Sequence, residues 1–265
     1  MILNISHETV YAYDQPVSFG LQQVRQTPRT SHVQRVLEWE THVEGGTTQA
    51  SFSDHYNNAV QLVSLSEGQN TFRLVSSGSV ETSDTGGVFG AASELVPLWL
   101  FLRSTPLTHA GPLVEQLVRG VRADPGDLSA LHELSARVRE TVRYETGSST
   151  TWSTAEDALE SGAGVCQDHA HVFVTAARLA GWPARYVSGY LMMNDRIDQE
   201  ASHAWAEAHV AGLGWVGFDV SNGISPDERY VRIAIGLDYG EAAPVSGIRF
   251  GTAREELDVS IQVQQ

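Results

Sequence analysis

A chain of 265 residues can bury a sizeable core as one large or two modest domains, so neither disulfides nor metals are needed to hold it together. Its 42% hydrophobic and 18% charged residues read as ordinary globular protein and exclude a disordered tail or a fibrous repeat. The balance of 17 basic against 32 acidic residues gives a formal charge of −15, and every basic residue is Arg. Such a surface repels phosphate backbones and anionic bilayers, so neither nucleic acid nor a membrane is expected as a partner. No window reaches the roughly 18 consecutive apolar residues of a spanning helix. Residues Met1 to His7 lack the basic and apolar regions of a secretory signal, and a cytoplasmic location is the expectation. A single cysteine, Cys166, forbids an intramolecular disulfide and argues against thiolate-rich zinc sites.

Up to about residue 85 the pattern is apolar/polar alternation broken by turn residues. Leu3 and Ile5 keep a period of two, as do Tyr11 and Tyr13, and Leu37, Trp39 and Thr41 repeat it before Gly45-Gly46. Val60 to Leu65 and Phe72 to Val75 follow, separated by Glu67-Gly68-Gln69. Short strands at this spacing predict an all-β, sandwich-like N-terminal domain over residues 1–85. Residues 86–125 read as a connecting helical segment, and 126–265 as an α+β catalytic core that includes the C-terminal strands. Asp127 is placed to cap a helix whose stripe is Leu128, Leu131, Leu134, Val138 and Val142. A second helix is expected from about Val165 to Ala180, burying Ala170, Phe173, Val174 and Ala177 and stopped by Gly181 and Pro183. Strands are expected at Ala184 to Leu191, Ala204 to Val210, Trp215 to Val220, and at the C-terminus through Leu257, Val259, Ile261 and Val263.

Cys166 lies in Gly162-Ala163-Gly164-Val165-Cys166-Gln167-Asp168-His169-Ala170-His171, at the start of that second helix. First-turn amides lack helical acceptors and carry the positive end of the dipole, and both favour thiolate over thiol. A nucleophilic thiolate also needs a base and a group to orient it. His203 and His209 are two candidates on one strand face, and Asp219 ends the next strand. Adjacent antiparallel strands can set His203 beside Asp219, with the carboxylate fixing the imidazole tautomer. Taken singly these residues are weak signals, since most lone cysteines are small buried hydrophobes. The order Cys, His, Asp in helix-start, strand, strand context is what carries weight.

The stretches Gly-Val-Cys-x-Asp-x-Ala-His at 164–171, Ser-His-Ala-Trp-x-Glu at 202–207 and Gly-Trp-Val-Gly-x-Asp at 214–219 resemble the core of the bacterial transglutaminase-like superfamily. Ile5 to Tyr11, Pro16-Val17 and Pro28-Arg29 resemble the β-rich N-terminal domain of this bacterial subgroup, and Ile235 to Val245 its C-terminal signature. The resemblance implies a papain-like α+β fold and a triad of Cys166 as nucleophile, His203 as base and acid, and Asp219 as orienting carboxylate. His169 stands where an aromatic is usual, Leu237 where Arg is common and Tyr230 where His is frequent. None of these three departures is expected to touch the triad; they bear on substrate preference and pocket shape.

Trp152, Gln167 and Asp168 are the oxyanion or pocket candidates beside the backbone N–H of Cys166, the safer oxyanion donor. Core packing is the commoner fate of a Trp, and Asp168 suits capping of free first-turn amides. The charged run Asn194 to Glu200 reads as a solvated loop or as a rim over the cleft. His169 and His171 project about 200° apart on a helix, too far to share an ion, so no metal site is expected. No Gly-rich phosphate loop is present, so no organic cofactor is expected either. The N-terminal β domain is expected to contribute no catalytic side chain. These residues point to a thiol acyl-transfer enzyme acting on peptide or isopeptide amides of a peptide or protein substrate, by hydrolysis rather than transfer. A protein-glutamine transglutaminase and a non-catalytic protein-binding module are the alternatives.

Overall fold

Strand β1 (Ile2–Tyr13) buries alternate side chains along its whole length and so serves two cores. Its first half sends Leu3 and Ile5 into one apolar cluster, and its second half sends Tyr11 and Tyr13 into another. Between them His7 and Thr9 are buried polar residues, so the change of core is marked by a change of chemistry. Residues 1–91, 96–121 and 124–265 of the computed structural model are described below.

The N-terminal strands continue with β2 (Phe19–Val24), β3 (Gln34–Glu44), β4 (Gly46–Ser53), β5 (Ala59–Leu65) and β6 (Thr71–Thr82). β7 (Val88–Gly90), a 3-10 turn at Leu98–Leu102, α1 (Pro112–Leu117), α2 (Leu128–Thr141) and β8 (Arg143–Tyr144) lead into the second half. There follow α3 (Ala155–Ser161), β9 (Ala163–Gly164), α4 (Cys166–Ala180), β10 (Ala184–Leu191), β11 (Asp198–Gln199), β12 (His203–Val210) and β13 (Gly214–Phe218). The chain closes with β14 (Tyr230–Gly236), α5 (Tyr239–Ala242), β15 (Val245–Phe250) and β16 (Glu255–Gln264).

Among the described residues the strands form sheets ordered β11-β16-β1-β6-β3, β15-β2-β5-β4 and β14-β10-β12-β13-β7, plus a small parallel pair β8-β9. The first two sheets enclose Tyr11, Tyr13, Val24, Val63, Phe72 and Leu74, which gives the expected β sandwich. The third is antiparallel and carries α4 on one face, where Val172, Phe173 and Ala176 meet Ala206, Ala208 and Phe218. A helix and a sheet bury their apolar faces only against another layer, and here each supplies the other's cover. This is an α+β architecture with a cysteine-bearing helix on an antiparallel sheet, preceded by an all-β region.

The elements agree closely with their sequence patterns. Asp127 accepts the Ala130 N–H at 2.9 Å at the start of α2, and Leu131, Leu134 and Val138 of its stripe are fully buried, as is Val142 just beyond it. Gly181 ends α4 in the left-handed conformation.

Three regions differ from expectation. The C-terminal strands do not complete the sheet that carries α4: β16 pairs with β1 from Asn4↔Gln264 to Tyr13↔Glu255, and β15 pairs with β2. The described residues of 86–125 are not simply helical, because β7 adds an edge strand beside β13 to the sheet that carries α4. The run Asn194 to Glu200 is not merely solvated, because β11 joins β16 through Asp198↔Gln262 and Gln199↔Ile261. All three rest on strand pairing between distant segments, which local alternation cannot encode. The two halves also share a core: Leu3, Ile5, Val80, Ile261 and Val263 pack with Tyr186, Tyr190 and Val231 of the catalytic sheet.

Candidate active site

The helix that begins at Cys166 starts where two glycines allow it. Gly162 closes α3 at φ +63°, a left-handed turn that a residue with a side chain adopts only with strain. At Gly164 an added Cβ would lie 2.6 Å from the Asp168 Cβ, so only glycine lets Asp168 fold back against the chain. Asp168 is fully buried, and its Oδ2 accepts the Val165 N–H at 2.7 Å and the Ser149 hydroxyl at 2.5 Å. The turn ahead of Cys166 is thereby fixed, and Cys166 becomes the first residue of α4, partly exposed. Amides of a first helical turn have no acceptor four residues back, so the N–H of Cys166 is available to an oxyanion.

His203 opens β12, and Asp219 follows β13, the next strand in the sheet. With Ala206 paired to Phe218, the residue after β13 comes alongside the beginning of β12. His203 Nε2 lies 2.6 Å from Asp219 Oδ2, and Cys166 is near enough to the ring to favour its charged form. With Nε2 committed to the carboxylate, Nδ1 is the nitrogen left for sulfur. Burial opposes a charged imidazole here, but the Asp219 carboxylate and the neighbouring Cys166 outweigh it and push His203 up to about 10. Burial likewise works against the Asp219 anion, yet His203, Asn222 and Tyr230 hold its carboxyl below the usual range.

The turn that carries Asp219 is secured at several points. Asp219 Oδ1 accepts the Asn222 N–H at 3.1 Å, and Oδ2 accepts the Asn222 side-chain amide and the Tyr230 hydroxyl, each at 2.7 Å. His169, one turn after Cys166, places Nε2 2.8 Å from the Val142 carbonyl and Nδ1 2.7 Å from Ser221 Oγ. A carbonyl only accepts, so Nε2 carries the proton. Burial holds His169 below its ordinary value, so Nδ1 accepts the Ser221 hydroxyl. His169 therefore ties α4 to the Asp219 turn. Of the three departures, Tyr230 contacts Asp219 directly and His169 reaches the Asp219 turn, contrary to the expectation that none would touch these residues. Leu237 is buried away from the triad, with its carbonyl accepting from Arg178 Nη2 at 2.7 Å.

The remaining candidates separate. Asp168 accepts from Val165 and Ser149 at Oδ2, while its buried Oδ1 meets no partner among the described residues, so Asp168 positions the turn rather than serving as an oxyanion donor. Gln167 Nε2 reaches the Thr150 carbonyl at 3.5 Å, a long contact beside the nucleophile. Trp152 is 82% exposed rather than packed in a core, because the loop that bears it lies over the start of α4 through Thr150 and Ser149. His209, the second candidate base, lies at the far end of β12 with its ring against Trp215, centroids 5.5 Å apart. His171 accepts the Tyr239 N–H at 3.1 Å, so the two helix histidines serve separate structural contacts. Among the described residues, the side-chain hydrogen bonds of His203 and Asp219 run to each other, Asn222 and Tyr230, all beyond residue 85.

The family comparisons coincide with this geometry. Residues 114–220 match the transglutaminase-like superfamily, a span holding Cys166, His203 and Asp219, and residues 3–81 match the bacterial transglutaminase-like N-terminal region. The chain belongs to the transglutaminase-like superfamily. Uncharacterized proteins of Mycobacterium leprae and Mycobacterium tuberculosis are 27% and 28% identical, each over 98% of this chain and covering 98% and 91% of those proteins. A crystal structure from Cytophaga hutchinsonii, assigned as a cysteine protease, covers 100% of this chain and 91% of its own with a TM-score of 0.78 at 23% identity. That likeness shows the fold along the whole superfamily member, sandwich and core together. Among its described residues no helix is long and apolar enough to cross a membrane.

Proposed function

We propose that this chain is a thiol-dependent hydrolase of peptide or isopeptide amide bonds, with Cys166, His203 and Asp219 as its triad. One observation carries the reading: His203 Nε2 lies 2.6 Å from the Asp219 carboxylate, and Cys166 is among the neighbours that favour its charged form. In that position the imidazole takes the thiol proton at Nδ1 and leaves a thiolate. The thiolate adds to the amide carbonyl, and the developing oxyanion is met by the N–H of Cys166. As the tetrahedral adduct collapses, the C–N bond breaks and His203 Nδ1–H protonates the departing amine. The acyl group remains as a thioester on Cys166. His203, now neutral, removes a proton from water, which attacks the thioester; the acid departs and the thiolate–imidazolium pair is restored.

Asp219 keeps the imidazole oriented and stabilises its charge through both stages. The partly exposed thiol at the start of α4 suits a carbonyl within a polymer, hence a peptide or protein substrate. The chemistry calls on no metal and no organic cofactor, and a thiol that must stay reduced fits the cytoplasm. Incubation of the reduced protein in EDTA with peptide libraries, with and without an added primary amine, tests the reading by mass. Cleaved amides that gain water support hydrolysis. Products joined to the added amine would make the protein a transglutaminase instead, and no turnover with unreactive Cys166 would make it a binding module.

A further inference from the structure

We propose that Tyr230 is a positioning residue of the triad, its hydroxyl holding the Asp219 carboxylate in the orientation that faces His203. The proposal rests on the triad assignment above and adds to it a member that is not itself a reacting group. The Tyr230 hydroxyl donates to Asp219 Oδ2 at 2.7 Å, on the same oxygen that meets His203 Nε2. Asp219 is fully buried, so solvent cannot orient its carboxylate or replace a lost donor. Asn222 secures the carboxylate from within its own turn, at Oδ1 through its N–H and at Oδ2 through its side chain. Tyr230 secures it from outside, from the first residue of another strand. His169 holds the turn from α4 through Ser221, but Tyr230 grips the carboxylate itself from outside the turn, on the oxygen that meets His203.

The anchorage of Tyr230 is itself rigid. The Thr82 hydroxyl, on β6 of the sandwich, donates to the Glu228 carbonyl, and the Met192 N–H donates to the Arg229 carbonyl at 3.0 Å. Its ring packs edge-on to Trp205 at 5.5 Å and lies 6.0 Å from the His203 ring. Burial and the neighbouring Asp219 anion push the phenol far above its ordinary value, so it remains a donor wherever the protein is folded. The N-terminal domain thus supplies no reacting side chain yet fixes the segment that orients the carboxylate.

The test is the rate of Cys166 alkylation by iodoacetamide near neutral pH, read by intact mass, which is unambiguous because the chain has one cysteine. Four variants are compared with the parent: Tyr230→Phe, Asp219→Asn, the two combined, and Tyr230→His. Phe keeps the ring and its packing and removes only the donor. Tyr230→Phe is expected to slow alkylation about tenfold, the order of one hydrogen bond to a charged group. The combined variant is expected to be no slower than Asp219→Asn alone, because the two act through one carboxylate. Tyr230→His, which restores an N–H donor, is expected to recover part of the rate. Parental alkylation in Tyr230→Phe, or an equal slowing when Tyr230→Phe is added to Asp219→Asn, overturns the proposal and leaves the triad standing. If Asp219→Asn itself alkylates like the parent, the triad reading fails, and this proposal with it. Thermal melts identify any variant that is merely unfolded, in which case Tyr230→His decides: a folded His variant with parental reactivity supports the donor role, and one as slow as Asp219→Asn contradicts it.

Discussion

Asp219 Oδ2 sits 2.6 Å from His203 Nε2, joining the end of β13 to the beginning of β12. The pair is 0% and 7% exposed, so its charges meet with little screening by solvent. Everything else in the site bears on keeping these two groups and Cys166 in register.

Replacing Asp219 by Asn keeps the shape of the turn and removes its charge. An amide offers no counter-charge to the imidazolium and allows the other tautomer. Turnover of any peptide substrate is expected to fall by about two to four orders of magnitude, with little change in the far-ultraviolet circular dichroism spectrum. Turnover within a factor of two of the parent would remove Asp219 from the mechanism.

Acid should loosen the junction between the two halves. His7 on β1 shares hydrogen bonds with Tyr190 of the catalytic sheet at 3.0 Å and with Gln26 at 3.2 Å. Burial lowers His7 to about 3 and His171 to about 4, so both are neutral in the folded protein. Unfolded histidines titrate near 6.5. The stability that depends on their neutral form is therefore complete above about pH 6.5 and is lost as the pH falls towards 4 and 3. Thermal melts from pH 7 to 4 should show a falling midpoint. His7→Gln should lower the midpoint at pH 7 yet flatten the descent, whereas an unchanged slope would show that His7 is not a source of it.

Much of this site was readable in the chain because its signals are local. Two glycines before Cys166, the helical stripe after it, and strands beginning near His203 and ending near Asp219 are all short-range patterns. The contacts that complete the site are not local. Tyr230 reaches Asp219 from 11 residues away in sequence and from another strand, so neither alternation nor a motif announces the bond. The pairing of β16 with β1 joins the two ends of the chain, where alternation specifies a buried face but not a partner. Trp152 misled for a related reason: an aromatic side chain usually buries its area, and only the docking of its loop on α4 leaves it in solvent.

Trp152 should separate function from stability. At 82% exposure its side chain contributes almost nothing to the core, so Trp152→Ala should change stability by less than about 0.5 kcal/mol. Its loop touches Gln167 and Asp168 beside Cys166, and substrate is expected to pack on the indole. The expected result is a raised KM for peptide substrate with an unaltered melting temperature. A lowered melting temperature with unchanged kinetics would make it a structural residue.

The central claim, that His203 makes Cys166 a nucleophile, is tested most directly by comparing iodoacetamide alkylation of the parent and of His203→Ala at pH 6.5. Each reaction is followed by intact mass on reduced protein, with EDTA present. The imidazolium that Asp219 sustains in the folded protein should make the parent react readily at this pH, with a single adduct on Cys166. His203→Ala should react at least about tenfold more slowly while remaining folded. Equal rates in the two proteins would show that His203 does not activate the thiol, and the assignment of this triad would be wrong.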